Sequence, residues 1–99
     1  MLTIKQRIEN NSAVFALSGR LDTVTAPELE AALQKSLDGV SELTLDFDGL
    51  DYISSAGLRV LLAAQKTMSK QGFMKLVHVN QTIMEILEVT GFTDILTIE

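Results

Sequence analysis

The chain has no cysteine, so neither a disulfide nor a thiolate metal site can hold it together, and a reducing, cytoplasmic setting suits it. Its single proline and six glycines are scattered, which leaves no linker rich in Pro, Gly or Ser and no low-complexity tract at which to divide it. No apolar run approaches the roughly 20 residues that span a bilayer. Met1 to Asn10 alternates apolar and polar residues, without the basic-then-apolar order of a secretion signal. No membrane is therefore expected as a partner. Basic residues are also scarce: eight Lys and Arg stand against thirteen Asp and Glu, for a net charge of −5. Nucleic acid is excluded as the main partner, because neutralising a phosphate backbone takes clustered cations. There is no G-x-S-x-G elbow, no Walker loop and no G-x-G-x-x-G fingerprint.

What is present suits a soluble globular protein. Hydrophobic residues make up 46% and charged residues 21% of the 99, and residues 1–99 read as a single domain. A chain of this size buries roughly 60–70% of the surface its unfolded form exposes, enough to fold without staples. Leu2, Ile4, Gln6 and Ile8 fall on one side of an extended segment and Thr3, Lys5 and Arg7 on the other, the period of a half-buried strand. Asn10 and Asn11 supply a turn. The short run Ala13 to Ser18, with Val14, Phe15 and Leu17, then predicts a second strand forming a hairpin with the first.

Thr25 followed three residues on by Glu28 reads as a capping box, with Pro27 in the first turn, so a helix is expected from about Ala26. Leu29, Leu33 and Leu37 share one face of it, and Gly39 marks its end. Glu42 to Asp48 alternates Leu43, Leu45 and Phe47 with Thr44, Asp46 and Asp48, a strand with one wet face, followed by a turn at Gly49. A helix then runs from about Ala56 to Lys70, with Leu58, Leu61, Leu62, Ala64 and Met68 on its apolar stripe, Gln65 breaking it, and Gly72 capping its end. Met74 to Val79 predicts another strand. Thr82 with Glu85 reads as a second capping box for a helix over Ile83 to Val89, ending at Gly91. Ile95, Leu96 and Ile98 suit a short last strand or a docked tail. The fold class is thus α/β, a mixed β-sheet built from one hairpin and right-handed crossovers, with helices packed mainly on one face. The four methionines are expected in the core.

Ser54-Ser55-Ala56-Gly57 stands where a strand ends and a helix begins. First-turn amides there lack partners and carry the positive end of the helix dipole, so a phosphate on either serine would be stabilised; one serine capping the helix is the plainer use. Asp46, Asp48 and Asp51 form no convincing hard-metal set, because alternation puts the first two on a solvated face. His78, the only histidine, has neither a triad nor a second histidine beside it and belongs on a sheet surface. With no convergent titratable set, the chain is expected to be no enzyme and to need no cofactor.

The stretch Asp51 to Leu62, DYISSAGLRVLL, resembles the signature of STAS-domain anti-sigma factor antagonists. Gly19-Arg20-Leu21-Asp22 ahead of a capped helix resembles the family's loop after its second strand, and Thr90-Gly91-Phe92 resembles its turn after the third helix. These resemblances cover nearly the whole chain in order. They imply a STAS fold and a bacterial partner switch: an anti-sigma factor serine kinase phosphorylates the antagonist on one serine, and a serine phosphatase restores it. The family's acceptor lies two residues before the glycine, which implies Ser55, with Ser54 as secondary candidate. The family often carries Asp before the acceptor and a hydroxyl after it, where this chain has Ser54 and Ala56. The resemblance further assigns partner contact to Asp22, Ser54, Ser55, Ala56, Gly57 and Arg59. Gly57 either keeps a partner's approach clear or only accommodates the backbone. A different function class on the same fold is a STAS interaction module of a larger signalling complex that is not phosphoregulated.

Overall fold

The alternating start of the chain closes into the expected hairpin. In a computed structural model describing residues 1–99, β1 (Leu2–Glu9) pairs antiparallel with β2 (Ser12–Leu21), from Leu2 opposite Gly19 to Glu9 opposite Ser12. Asn10 takes the left-handed conformation (φ 55°) that the turn between them requires. There follow α1 (Ala26–Ser36), β3 (Glu42–Ile53), α2 (Ser55–Ser69), β4 (Phe73–Val77), α3 (Gln81–Val89), a 3-10 turn (Phe92–Asp94) and β5 (Thr97–Ile98). Strands β2 to β5 are parallel, and the sheet order is β1-β2-β3-β4-β5. The sheet is mixed, as alternation and crossover spacing predict.

One sheet face carries the core. Ala13, Phe15 and Leu17 of β2, Leu43, Leu45 and Phe47 of β3, and Met74 and Leu76 of β4 are buried. Against them pack Leu29 and Leu33 of α1, Leu58, Leu61, Ala64 and Met68 of α2, and Ile83 and Leu87 of α3. The alternate residues of the strands, among them Val14, Thr44, Asp46, Asp48 and Lys75, are exposed or half-buried. Helices therefore cover one face and water the other. Full burial of a leucine such as Leu61 stabilises the fold by about 1.5–3 kcal/mol relative to exposure.

Several local expectations need correction. No turn forms at Gly49: β3 runs on to Ile53, and its pairing with β2 shifts between Ala16 and Ser18 and again between Gly19 and Arg20. Such irregularities change which residues face inward, so Leu50 is buried although it breaks the alternation of Leu43, Leu45 and Phe47, and Ile53, three residues on, is buried back in phase with them. Helix α3 begins at Gln81, not Ile83, and its cap is Asn80, whose Oδ1 accepts from the Ile83 N–H at 2.8 Å. Thr82 lies inside the helix, so the Thr82–Glu85 capping box does not form. Helix α2 ends at Ser69 and its cap residue is Lys70, two positions before Gly72; the need for glycine at 72 is close approach, since a Cβ there would come 1.8 Å from the Ser41 carbonyl oxygen. Of the methionines, Met68 and Met74 are buried and Met84 is half-buried, but Met1 is 95% exposed. Leu62 is only half-buried, as is Gln65, whose Oε1 is buried without a hydrogen bond.

Candidate functional site

The carboxyl ends of β2 and β3 lie side by side, with Arg20 opposite Tyr52 and Leu21 opposite Ile53. Both strands feed a helix at this edge. The Ser54 N–H donates to the Leu21 carbonyl at 2.9 Å, stitching the β3–α2 junction to the end of β2. Every residue singled out from sequence, namely Asp22, Ser54, Ser55, Ala56, Gly57 and Arg59, belongs to this edge or to the first turns of α2.

The two serines do different things. Ser54 is extended (φ −101°, ψ 176°) and half-buried, and its hydroxyl faces the Gly57 N–H at 3.5 Å as the helix cap. Ser55, the first residue of α2, is exposed. The capping role thus falls to Ser54, and the Ser55 hydroxyl is left to solvent beside the unpaired first-turn amides. No acidic residue occupies that first turn, so the positive dipole end stays uncompensated. Ala56 is half-buried and Arg59 exposed. Gly57 is buried, and a Cβ there would lie 2.8 Å from both Ile53 Cγ1 and Leu21 Cγ. A side chain at Gly57 would therefore collide with the core, which corrects the notion that it would stand in a partner's way. Glycine is needed so that α2 can start close against the sheet.

Opposite Ser54, Asp22 is fixed by a network that sequence reading assigned wrongly. Thr25 does not cap α1: its hydroxyl is turned back, donating to the Arg20 carbonyl and accepting from the Asp22 N–H, each at 2.8 Å. Thr25 takes helical φ and ψ (−94°, −19°), and it is the only buried polar residue of the chain, 3% exposed. Asp22 Oδ1 in turn accepts from the Val24 N–H at 3.0 Å and the Thr25 N–H at 3.1 Å. These bonds hold its carboxyl below the ordinary value of 3.8: the Thr25 amide acts most strongly, burial opposes it, and the Thr25 hydroxyl, the Val24 amide and Arg20 add to it. Arg20 Nε lies 3.7 Å from Asp22 Oδ2, and its guanidinium stacks over the Tyr52 ring at 4.4 Å. Arg20, Tyr52 and Thr25 were not selected from sequence as site residues. Arg20 and Tyr52 stood inside the two stretches already singled out, and their cross-strand pairing was the missing information.

The remaining polar candidates lie elsewhere. His78 sits on the open sheet face in a left-handed conformation (φ 57°), with Nδ1 2.9 Å from Asp46 Oδ1. The hydrogen bond and charge of Asp46 raise the His78 pKa above 6.5. Asp46 also accepts from the Asp48 N–H at 3.0 Å and its carboxyl is lowered overall, although burial, the largest influence on it, pushes the other way.

The fold, a five-stranded mixed sheet with three helices packed on one face, is that of a STAS domain. The family model described as "Mlab, STAS domain" matches residues 4–97. BtrV of Bordetella bronchiseptica, assigned as an anti-sigma factor antagonist, is 39% identical over 84 residues, covering 83% of this chain and 72% of BtrV. The chain belongs to the STAS-domain family of anti-sigma factor antagonists, a family named for a regulatory binding role. Among solved structures, an anti-sigma factor antagonist from Mycobacterium paratuberculosis superposes with a TM-score of 0.89 at 24% identity, over 99% of this chain and 85% of that one. The Bacillus cell fate determinant SpoIIAA matches in fold with TM-scores of 0.78 unphosphorylated and 0.76 phosphorylated, each at 16% identity and over 98% of this chain, and over 87% and 91% of SpoIIAA respectively. No helix is long and apolar enough to cross a membrane.

Proposed function

We propose that the unmodified protein binds an anti-sigma factor that is itself a serine kinase, so freeing a sigma factor. Phosphorylation of Ser55 ends that binding, and a serine phosphatase restores it. The observation that carries this reading is the division of labour between neighbouring hydroxyls: Ser54 is occupied as the cap of α2, while Ser55 is exposed at the first position of the helix. An acceptor must be reachable by another protein's active site, and Ser55 is. The anti-sigma factor antagonists among its relatives support the same reading, and SpoIIAA exists with and without phosphate. This chain's fold is about equally close to both of those forms, which fits a modification that alters the surface and spares the fold.

The chemistry follows from the site. Phosphate adds about 1.5 to 2 negative charges at pH 7. On the free protein those charges face unpaired amides at the positive end of α2, so local structure tolerates them. In a tight interface they must shed water, and an incompletely paired charge there costs several kcal/mol. The docking face comprises Asp22, the serines, Ala56 and Arg59, with buried Gly57 holding the helix in place. Such a protein works in the cytoplasm, where sigma factors act, and needs no cofactor.

Incubation with the cognate kinase and ATP, read by intact mass and fragment mapping, tests the proposal. Ser55→Ala should abolish the gain of one phosphate and Ser54→Ala should leave it. Phosphate on Ser54 instead would overturn the site. No phosphate on either serine, with partner binding retained, would favour a STAS interaction module that is not phosphoregulated.

A further inference from the structure

Arg59 stands four residues after Ser55 on α2 and is exposed. Residues at that spacing are neighbours on one helix face. Helix side chains also lean toward the amino terminus, so the Arg59 side chain is long enough to reach back to the turn that begins at Ser55. Its guanidinium is uncommitted: the ion pairs of the chain join Arg20 to Asp22, Lys75 to Glu99 and His78 to Asp46. One turn away on its own helix stand Ser55, Ala56, Leu62 and Ala63, none of them charged. From the facing helix, Glu30 lines the same shallow groove beside Ala26 and Pro27, yet forms no ion pair with Arg59. Arg20, the other cation of this edge, is already held by Tyr52 and Asp22.

We infer that Arg59 is the internal receiver of the Ser55 phosphate: on phosphorylation its guanidinium pairs with the phosphoryl oxygens one turn back along α2. The inference rests on the proposal that Ser55 is the acceptor. An anion placed ahead of a cation at this spacing is the favourable order, because each then sits toward the helix end that suits its charge. Arginine's planar fork matches two phosphoryl oxygens at once. Phosphorylation then alters the docking face twice. It adds negative charge, and it occupies the guanidinium that the unmodified face offers to a partner. Arg59 is in this sense a positioning residue of the switch.

The test installs phosphoserine at position 55 during synthesis, so that it depends on no kinase, and follows the second ionisation of the phosphate by phosphorus NMR at low salt. With Arg59 present, that ionisation should fall on the order of half a pH unit below its value in the Arg59→Gln protein. High salt should shrink the difference, because the pair is solvent-exposed. Arg20→Gln should leave the ionisation where it was. Circular dichroism confirms that each variant is folded, which surface substitutions at exposed sites permit. Equal ionisation with and without Arg59 overturns the inference, and so does a shift that follows Arg20 instead. Failure of the kinase to modify Ser55 would be seen in the separate mass measurement and would overturn the acceptor assignment, not the pairing.

Discussion

Replacing Thr25 with valine keeps the shape of a buried side chain and removes only its hydroxyl. That hydroxyl serves two main-chain groups, accepting from the Asp22 N–H and donating to the Arg20 carbonyl, each at 2.8 Å. Without it, both are left unpaired in a loop that is partly closed to water. Each unpaired buried group costs about 1–3 kcal/mol, and partial exposure puts these at the lower end, so the loss is about 2–3 kcal/mol. The methyl that replaces the hydroxyl returns about 0.8 kcal/mol. The net is a destabilisation of about 1.5–2 kcal/mol, which for a domain of this size lowers Tm by about 6–16 °C. Thr25→Ser keeps the hydroxyl and deletes one methyl, at about 0.8–1 kcal/mol. The expected order in thermal and urea melts is therefore wild type, then serine, then valine. A helix-capping threonine would behave differently, because serine caps at least as well as threonine and its substitution would be nearly neutral. Valine as stable as wild type, or more stable than serine, would refute the network as the reason Asp22 is held in place.

Other outcomes follow from the same structure. Leu61→Ala, at a fully buried position on α2, should cost about 2–5 kcal/mol, and a loss below about 0.5 kcal/mol in denaturant melts would show that this face does not meet the core. Gly57→Ala should destabilise despite alanine's better helix propensity of about 1 kcal/mol, since overpacking against Leu21 and Ile53 costs about 1–3 kcal/mol; unchanged or raised stability would mean the junction has slack. His78 should titrate above 6.5 in an NMR pH series, and Asp46→Asn should bring it back toward that value. Its contribution to stability is complete below 6.5 and lost as pH rises through the raised folded value, while that of Asp46 is complete above 3.8 and lost as pH falls through its lowered one. The stability difference between wild type and Asp46→Asn should accordingly be largest between about pH 4 and 6.5 and fade on either side; a difference that grows above pH 8 would refute the pairing.

The sheet and its buried face were legible because alternation is a strong signal: Leu43, Leu45 and Phe47 face the core while Thr44, Asp46 and Asp48 do not. Helix existence was legible from Leu29 and Leu33 and from Leu58, Leu61 and Met68. Helix α1 starts at Ala26 as expected, but the helix caps were misread where a local pattern had a tertiary competitor. Thr25 and Glu28 satisfy the capping-box spacing, yet the Thr25 hydroxyl is engaged by the end of β2. Asn80, which caps α3, also reaches the Leu50 carbonyl across the fold, a contact that no window of sequence contains. Gly49 resembles a turn residue and is instead part of an irregular stretch of β3, because β2 has matching irregularities beside it. The Ser54–Ser55 pair was visible as chemistry, but which hydroxyl caps and which is free depends on backbone angles at the junction.

The most direct measurement of the switch is calorimetric titration of the anti-sigma factor kinase with the unmodified and the Ser55-phosphorylated protein, run beside thermal melts of both. A penalty of about 3–4 kcal/mol for carrying the phosphate into the interface weakens binding on the order of a few hundredfold, at 1.4 kcal/mol per factor of ten. The unmodified protein and Ser55→Ala should bind tightly, the phosphorylated protein a few hundredfold more weakly, and the two melts should agree within a few degrees. Equal affinities for the two forms, or a melt that collapses on phosphorylation, would contradict a switch built on the surface of an unchanged fold.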